Sequence, residues 1–141
     1  MNERRPRLGG LHHVTLICRD VERAVEFYGD LLGLRLVERT VNEDDQGARH
    51  LLFGDEGGRA GTLVTCLEYP EMDEGTVGRG STHHFALAVE SEEELAAWGD
   101  YLRSHGVPCT DVMERAHFKS IYLRDPDGHV IELAVGAAIG G

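Results

Sequence analysis

The chain reads as an α+β domain made of two βαβββ modules whose curved mixed sheet surrounds a cleft. Three observations predict this. Leu11-His12-His13-Val14-Thr15-Leu16 and Thr82-His83-His84-Phe85-Ala86-Leu87 are matching segments, each a double histidine opening a run of alternating residues. Each segment is followed by one helical pattern and three further strand-like runs. The second histidines of the doublets lie 84 − 13 = 71 residues apart. That period is too long, and its copies too few, for a solenoid, which leaves a duplicated module.

In chain order, residues 1–9 are expected to be a disordered tail, and 10–136 one domain of two modules, 10–69 and 81–136, joined by a linker over 70–80 rich in glycine. Leu11 to Cys18 alternates as a strand. Asp20 caps a helix whose apolar residues Val21, Ala24, Val25, Tyr28, Leu31 and Leu32 share one face, and Gly33 stops it. Strands are expected over Leu34–Val41, Ala48–Phe53 and Thr62–Glu68, with polar or glycine-rich turns between them. The pattern then restarts. His84 to Val89 is a strand, and Ser91 with Glu94 makes a capping box for a helix ending near Ser104. Pro108–Val112, His117–Leu123 and Val130–Val135 are the last strands, with a tight turn at Asp125-Pro126-Asp127-Gly128. Gly136 to Gly141 is read as a loose tail.

The formal net charge of −11, from 25 acidic and 14 basic residues, disfavours nucleic acid and anionic membrane as partners. It leaves room for a small anion held by a local Arg or Lys. Cys18, Cys66 and Cys109 are widely spaced and form no CxxC, so reduced thiols and a cytoplasmic location are expected. No apolar run has membrane-spanning length and the first residues are polar, so neither a transmembrane helix nor a signal peptide is expected.

Alternate residues of a strand share a face. His13, Thr15 and Ile17 therefore line one face, as do His84, Ala86 and Ala88, and Val130, Glu132 and Ala134. If these faces line one concave sheet, His13, His84 and Glu132 converge as three ligands of a divalent metal. Two imidazoles and a carboxylate cover one face of an octahedral ion and leave the other positions open. A carboxylate facing a core needs a partner, and a metal supplies one. In the first module Thr65 falls where Glu132 falls in the second, so ligation is asymmetric, with three protein ligands instead of four.

With these residues in view, the chain resembles the vicinal oxygen chelate superfamily, the glyoxalase, bleomycin-resistance and extradiol dioxygenase group. The resemblance covers Leu11 to about Val135. It rests on His13-Val14-Thr15-Leu16, on Phe27-Tyr28 ahead of Leu31-Leu32-Gly33-Leu34, and on Asp125-Pro126-Asp127-Gly128 running to Glu132. It is similar in particular to the hydroquinone-type ring-cleaving dioxygenases. These share doubled histidines, matching His12-His13 and His83-His84, and an Arg–aromatic stretch like Arg115, Phe118 and Ser120-Ile121-Tyr122. The resemblance implies Fe(II), or alternatively Mn(II), on His13, His84 and Glu132. It also implies catalytic roles for His12, Thr15, His83, Arg115 and Tyr122, and a small aromatic diol and dioxygen as reactants. His12 or His83 would move the diol's proton, Tyr122 would donate to a developing ring oxygen, and Arg115 would hold a second oxygen or an acidic substituent. Those relatives are longer and draw their site from their first and last modules, so two modules must suffice here, either within one chain or swapped across a dimer; a homodimer is expected. His117 departs from the pattern, standing where another aromatic is expected.

Three other functions fit the same fold. A glyoxalase-type isomerase or lyase would use a fourth ligand where Thr65 stands. A thiol transferase acting on an anionic antibiotic would want clustered cations, and only Arg115, Lys119 and Arg124 lie near in sequence. A metal-free binding or resistance protein has no use for a complete ligand triad.

Overall fold

The computed structural model describes residues 4–136. The chain divides into two compact units, Met1–Asp73 and Glu74–Gly141. The first contains β1 (His13–Cys18), α1 (Val21–Ala24) running on as a π-helical segment (Val25–Leu31), β2 (Arg35–Val41), β3 (Arg49–Gly54) and β4 (Leu63–Glu68). The second contains β5 (Phe85–Ala88), α2 (Glu92–Ser104), β6 (Met113–Glu114), β7 (Phe118–Arg124) and β8 (Val130–Gly136). Each unit is βαβββ. Its four strands are ordered β1-β4-β3-β2 in one sheet and β5-β8-β7-β6 in the other. In both, the first and last strands run parallel and the remaining pairs antiparallel, so the α+β architecture and the duplication read from the sequence are present.

The caps behave as their residue types require. Asp20 Oδ1 accepts from Glu22 N at 2.9 Å and Ser91 Oγ accepts from Glu94 N at 3.1 Å, each satisfying a backbone donor that the helix leaves unpaired. Inside the first unit, Val21, Tyr28, Leu51 and Phe53 are among the most completely buried side chains.

The first helix departs from the regular α pattern. Leu32 N reaches back five residues to Phe27 O at 2.9 Å, the wide hydrogen bond of a π turn. The widening turns both Phe27 and Tyr28 into the core, where their rings meet edge to face at 4.9 Å and Tyr28 meets Phe53 at 5.7 Å. Gly33, at φ +81°, ends the segment in the left-handed region that glycine enters at no steric cost.

Pro108–Val112, expected as a strand, makes only one bridge, Cys109 to Leu123, and the paired strand falls later, at β6. Pro108 has no N–H to donate. Thr110 supplies its hydroxyl, in place of a backbone carbonyl, to Tyr122 N at 3.0 Å. Residues 4–9 carry neither helix nor strand. Gly136 closes β8, and the rest of the expected C-terminal tail, like residues 1–3, lies outside the described residues. Among the described residues no helix is long and apolar enough to cross a membrane.

Candidate metal centre

Register places the site residues. In the first unit Thr15 pairs with Thr65 across the parallel β1–β4 ladder. In the second, Ala86 pairs with Glu132 across β5–β8. Thr65 and Glu132 thus hold equivalent positions, as the repeat predicts. Their chemistry differs. Thr65, 2% exposed, donates its hydroxyl to Thr15 Oγ1 at 2.7 Å. Glu132, 4% exposed, has Oε1 2.9 Å from His84 Nε2, while its buried Oε2 has no partner.

Both doublets share one geometry. His12 Nδ1 lies 3.0 Å from His13 Nδ1, and His83 Nδ1 lies 2.8 Å from His84 Nδ1, with the rings nearly perpendicular in each pair. Adjacent side chains within a regular strand point to opposite faces. Here β1 begins at His13 and β5 only at Phe85, so the pairs sit at strand entrances where neighbouring rings can meet. Gly61 N, from the turn before β4, donates to His12 O at 2.7 Å and fixes the backbone of the first doublet.

The second unit gathers further sequence-predicted residues around Glu132. Tyr122 is its direct partner on β7. The Tyr122 ring meets His84 edge to face with centroids 5.6 Å apart. Its hydroxyl accepts from Arg115 Nη2 at 3.0 Å, and the same guanidinium lies over the ring, 5.4 Å from its centre. His83, His84, Glu132, Tyr122 and Arg115 therefore form one connected cluster. His12, His13 and Thr15 belong to the first unit. Among the described residues, no three His, Cys, Asp or Glu side chains are gathered as a metal site would need.

Two polar groups were left without a role by the sequence argument, which placed His50 on a strand that could line the cleft. His50 shares a face with Leu52 on β3, which pairs with Thr65. Its Nε2 is buried without a partner, and burial holds the imidazole below its usual pKa, opposed by Glu38 and reinforced by His13. The alternation of β3 could have placed His50 on this face, but nothing local marks it as buried. Ser120, fully buried with an unpartnered Oγ, is the other. In the sequence it is only part of a motif.

The residues of the second unit fit a divalent cation. A buried carboxylate oxygen without a donor is costly, and Glu132 Oε2 is one. The 2.9 Å between His84 Nε2 and Glu132 Oε1 is a hydrogen-bond distance, and also close to the ~3 Å between neighbouring ligands of an ion bound at about 2.1 Å. Nitrogen and oxygen donors suit iron and manganese.

The fold and this donor set point to one family. The Glyoxalase/Bleomycin resistance protein/Dioxygenase superfamily matches residues 10–133, and the chain belongs to it. "Putative ring-cleaving dioxygenase MhqO" of Bacillus subtilis (strain 168) is 36% identical over 124 residues, 88% of this chain and 39% of that protein. The chlorohydroquinone/hydroquinone 1,2-dioxygenase of Sphingobium indicum is 34% identical over 126 residues, 86% of this chain and 38% of that protein. The chain thus spans about two fifths of the length of these ring-cleaving relatives. Glutathione transferase FosA of Serratia marcescens is 34% identical over 131 residues, 92% of this chain and 83% of that protein. Among solved structures, a "putative dioxygenase" from B. subtilis matches with a TM-score of 0.83 at 36% identity, over 89% of this chain and 40% of that one.

Proposed function

We propose that the chain is a metal-dependent ring-cleaving dioxygenase of the extradiol type, acting on small aromatic diols such as hydroquinones. His13, His84 and Glu132 would hold Fe(II), with Mn(II) as the alternative. The observation that carries this reading is Glu132, a buried carboxylate with one oxygen on His84 and the other without a partner. The names of the ring-cleaving relatives support the reaction class.

When bound, the metal lowers the pKa of a phenol and activates dioxygen. The chain's own residues supply the rest. For His84 to offer the Nε2 lone pair, its proton must sit on Nδ1 and donate to His83 Nδ1. His83 then carries its proton on Nε2. It acts as a donor to a substrate oxygen, and takes up a proton only if the bond between the two Nδ1 atoms opens. The same logic applies to His12 beside His13. Tyr122 accepts from Arg115, which leaves its own O–H free to donate to a substrate oxygen as charge develops there. Among the described residues the Arg115 guanidinium contacts the Tyr122 hydroxyl and ring and Met113 Sδ, and no carboxylate, so its charge is available to a second oxygen or an acidic substituent. Thr15, bonded to Thr65, keeps the fourth-ligand position of the first unit filled by a neutral pair.

Anaerobic loading with Fe(II), followed by dioxygen uptake with hydroquinone, tests the reading. Uptake with loss of the aromatic absorbance is expected. His84→Ala should lose both metal and uptake while keeping its circular dichroism. Stoichiometric metal in that variant would contradict the ligand assignment. A second reading, metal-dependent thiol transfer, is favoured by the relative whose length this chain nearly spans. Thiol-dependent consumption of an electrophile by loaded protein that takes up no dioxygen would select it.

A further inference from the structure

The sheet of the second unit carries a row of small residues beside Glu132. Ala88 pairs with Ala134, and Ala134 with Ser120. In the next row on the same face, Ala86 pairs with Glu132 and Glu132 with Tyr122. Ala86 and Ala88 are exposed and Ala134 is half-buried, so the row is open to a ligand. Two side chains on this face are more than nine-tenths buried yet hold an atom without a partner: Glu132 through Oε2, at 4% exposure, and Ser120 through Oγ, at 0%. An unpaired buried hydroxyl destabilises the chain that carries it, and an alanine would continue the row without that cost. Ser120 faces Met113 across β6–β7. Met113 is 41% exposed, and its Sδ takes a weak contact from Arg115 Nη2 at 3.6 Å. An unbranched thioether side chain turns aside easily.

We propose that Ala88, Ala134 and Ser120 form the floor on which the ring of the substrate lies. Ser120 Oγ donates to a ring oxygen remote from the one held beside Glu132 once Met113 has turned. The inference rests on the dioxygenase reading above and deepens it. The site selects flat rings carrying two oxygens, because bulk projecting from the ring plane meets the floor and a ring with one oxygen leaves Ser120 unpaired.

The test uses the full chain loaded anaerobically with Fe(II) and titrated calorimetrically with hydroquinone and with phenol, metal content being measured in parallel. Ala88→Leu and Ala134→Leu should keep the metal stoichiometry and weaken hydroquinone binding by about tenfold or more. Ser120→Ala should melt no lower than the parent without ligand. It should weaken hydroquinone by about fivefold and leave phenol unchanged. Leucine variants that bind hydroquinone like the parent, or a Ser120→Ala effect equal for both ligands, would overturn the floor and leave the dioxygenase reading standing. A parent protein that takes up metal but binds neither ligand would overturn both.

Discussion

Glu132 is the residue where folding and chemistry conflict. Folding alone gains nothing from a carboxylate at 4% exposure with one oxygen unmatched, since a buried acceptor without a donor forfeits the hydrogen bonds it makes in water. Glu132→Gln should bind metal at least about tenfold more weakly, because a neutral amide is a poorer ligand for a hard cation. Metal titration of the purified variant checks this. Tyr122→Phe separates chemistry from ligation. It keeps the ring against His84 and removes only the hydroxyl that Arg115 holds. Metal content should be unchanged and kcat lower by about tenfold to a hundredfold. An unchanged kcat would return Tyr122 to a packing role.

At the scale of elements, β1 and α1 are fastened by polar contacts at the corner between them. Asp20 caps α1, and Asp20→Ala should lower unfolding stability by about 1 kcal/mol in denaturant titrations. Glu68, at the end of β4, accepts from Val21 N at 2.9 Å and from Arg49 through both carboxylate oxygens at 2.8 Å. The Arg49 contact holds the Glu68 carboxyl below its usual pKa, with burial opposing it and the Val21 amide assisting. A depressed carboxylate stabilises the fold above the unfolded-state pKa, and that contribution is lost as pH falls through the folded-state value. The gap in melting temperature between the parent and Glu68→Gln should therefore be widest near neutrality and close towards acid. A gap independent of pH would count against the Arg49–Glu68 pair. The bulge in β2 is another element-level device. It inserts Val37 between Leu36 and Glu38, against Gly58, where an added Cβ would come within 3.0 Å of Val37 Cγ1. Gly58→Ala should destabilise the unit, both through that contact and through the positive φ of +63°.

For the whole molecule, metal on the proposed ligands would bind the folded state alone. Metal should therefore stabilise the chain against unfolding by mass action, about 2.7 kcal/mol at a free concentration one hundred times Kd. Calorimetry with Mn(II), and again after chelation, measures it. A melting temperature that ignores metal would argue against a folded-state site.

The duplication, the order of strands and helices, and the equivalent positions of Thr65 and Glu132 were legible in the sequence. They follow from local rules: a period of two along strands, capping residues, and glycine stops. Those rules set which way a side chain points, but not what it meets. The approach of His84 to Glu132 joins residues 48 apart, and only the β5–β8 register makes it. The turning of each histidine doublet onto itself depends on where the strands begin. The π turn that carries Phe27 and Tyr28, and the sealing of Ser120 Oγ and His50 Nε2 away from water, depend on packing against distant strands. Desolvation is a property of the assembled neighbourhood, so only the tertiary structure decides which polar atoms are left wanting a ligand.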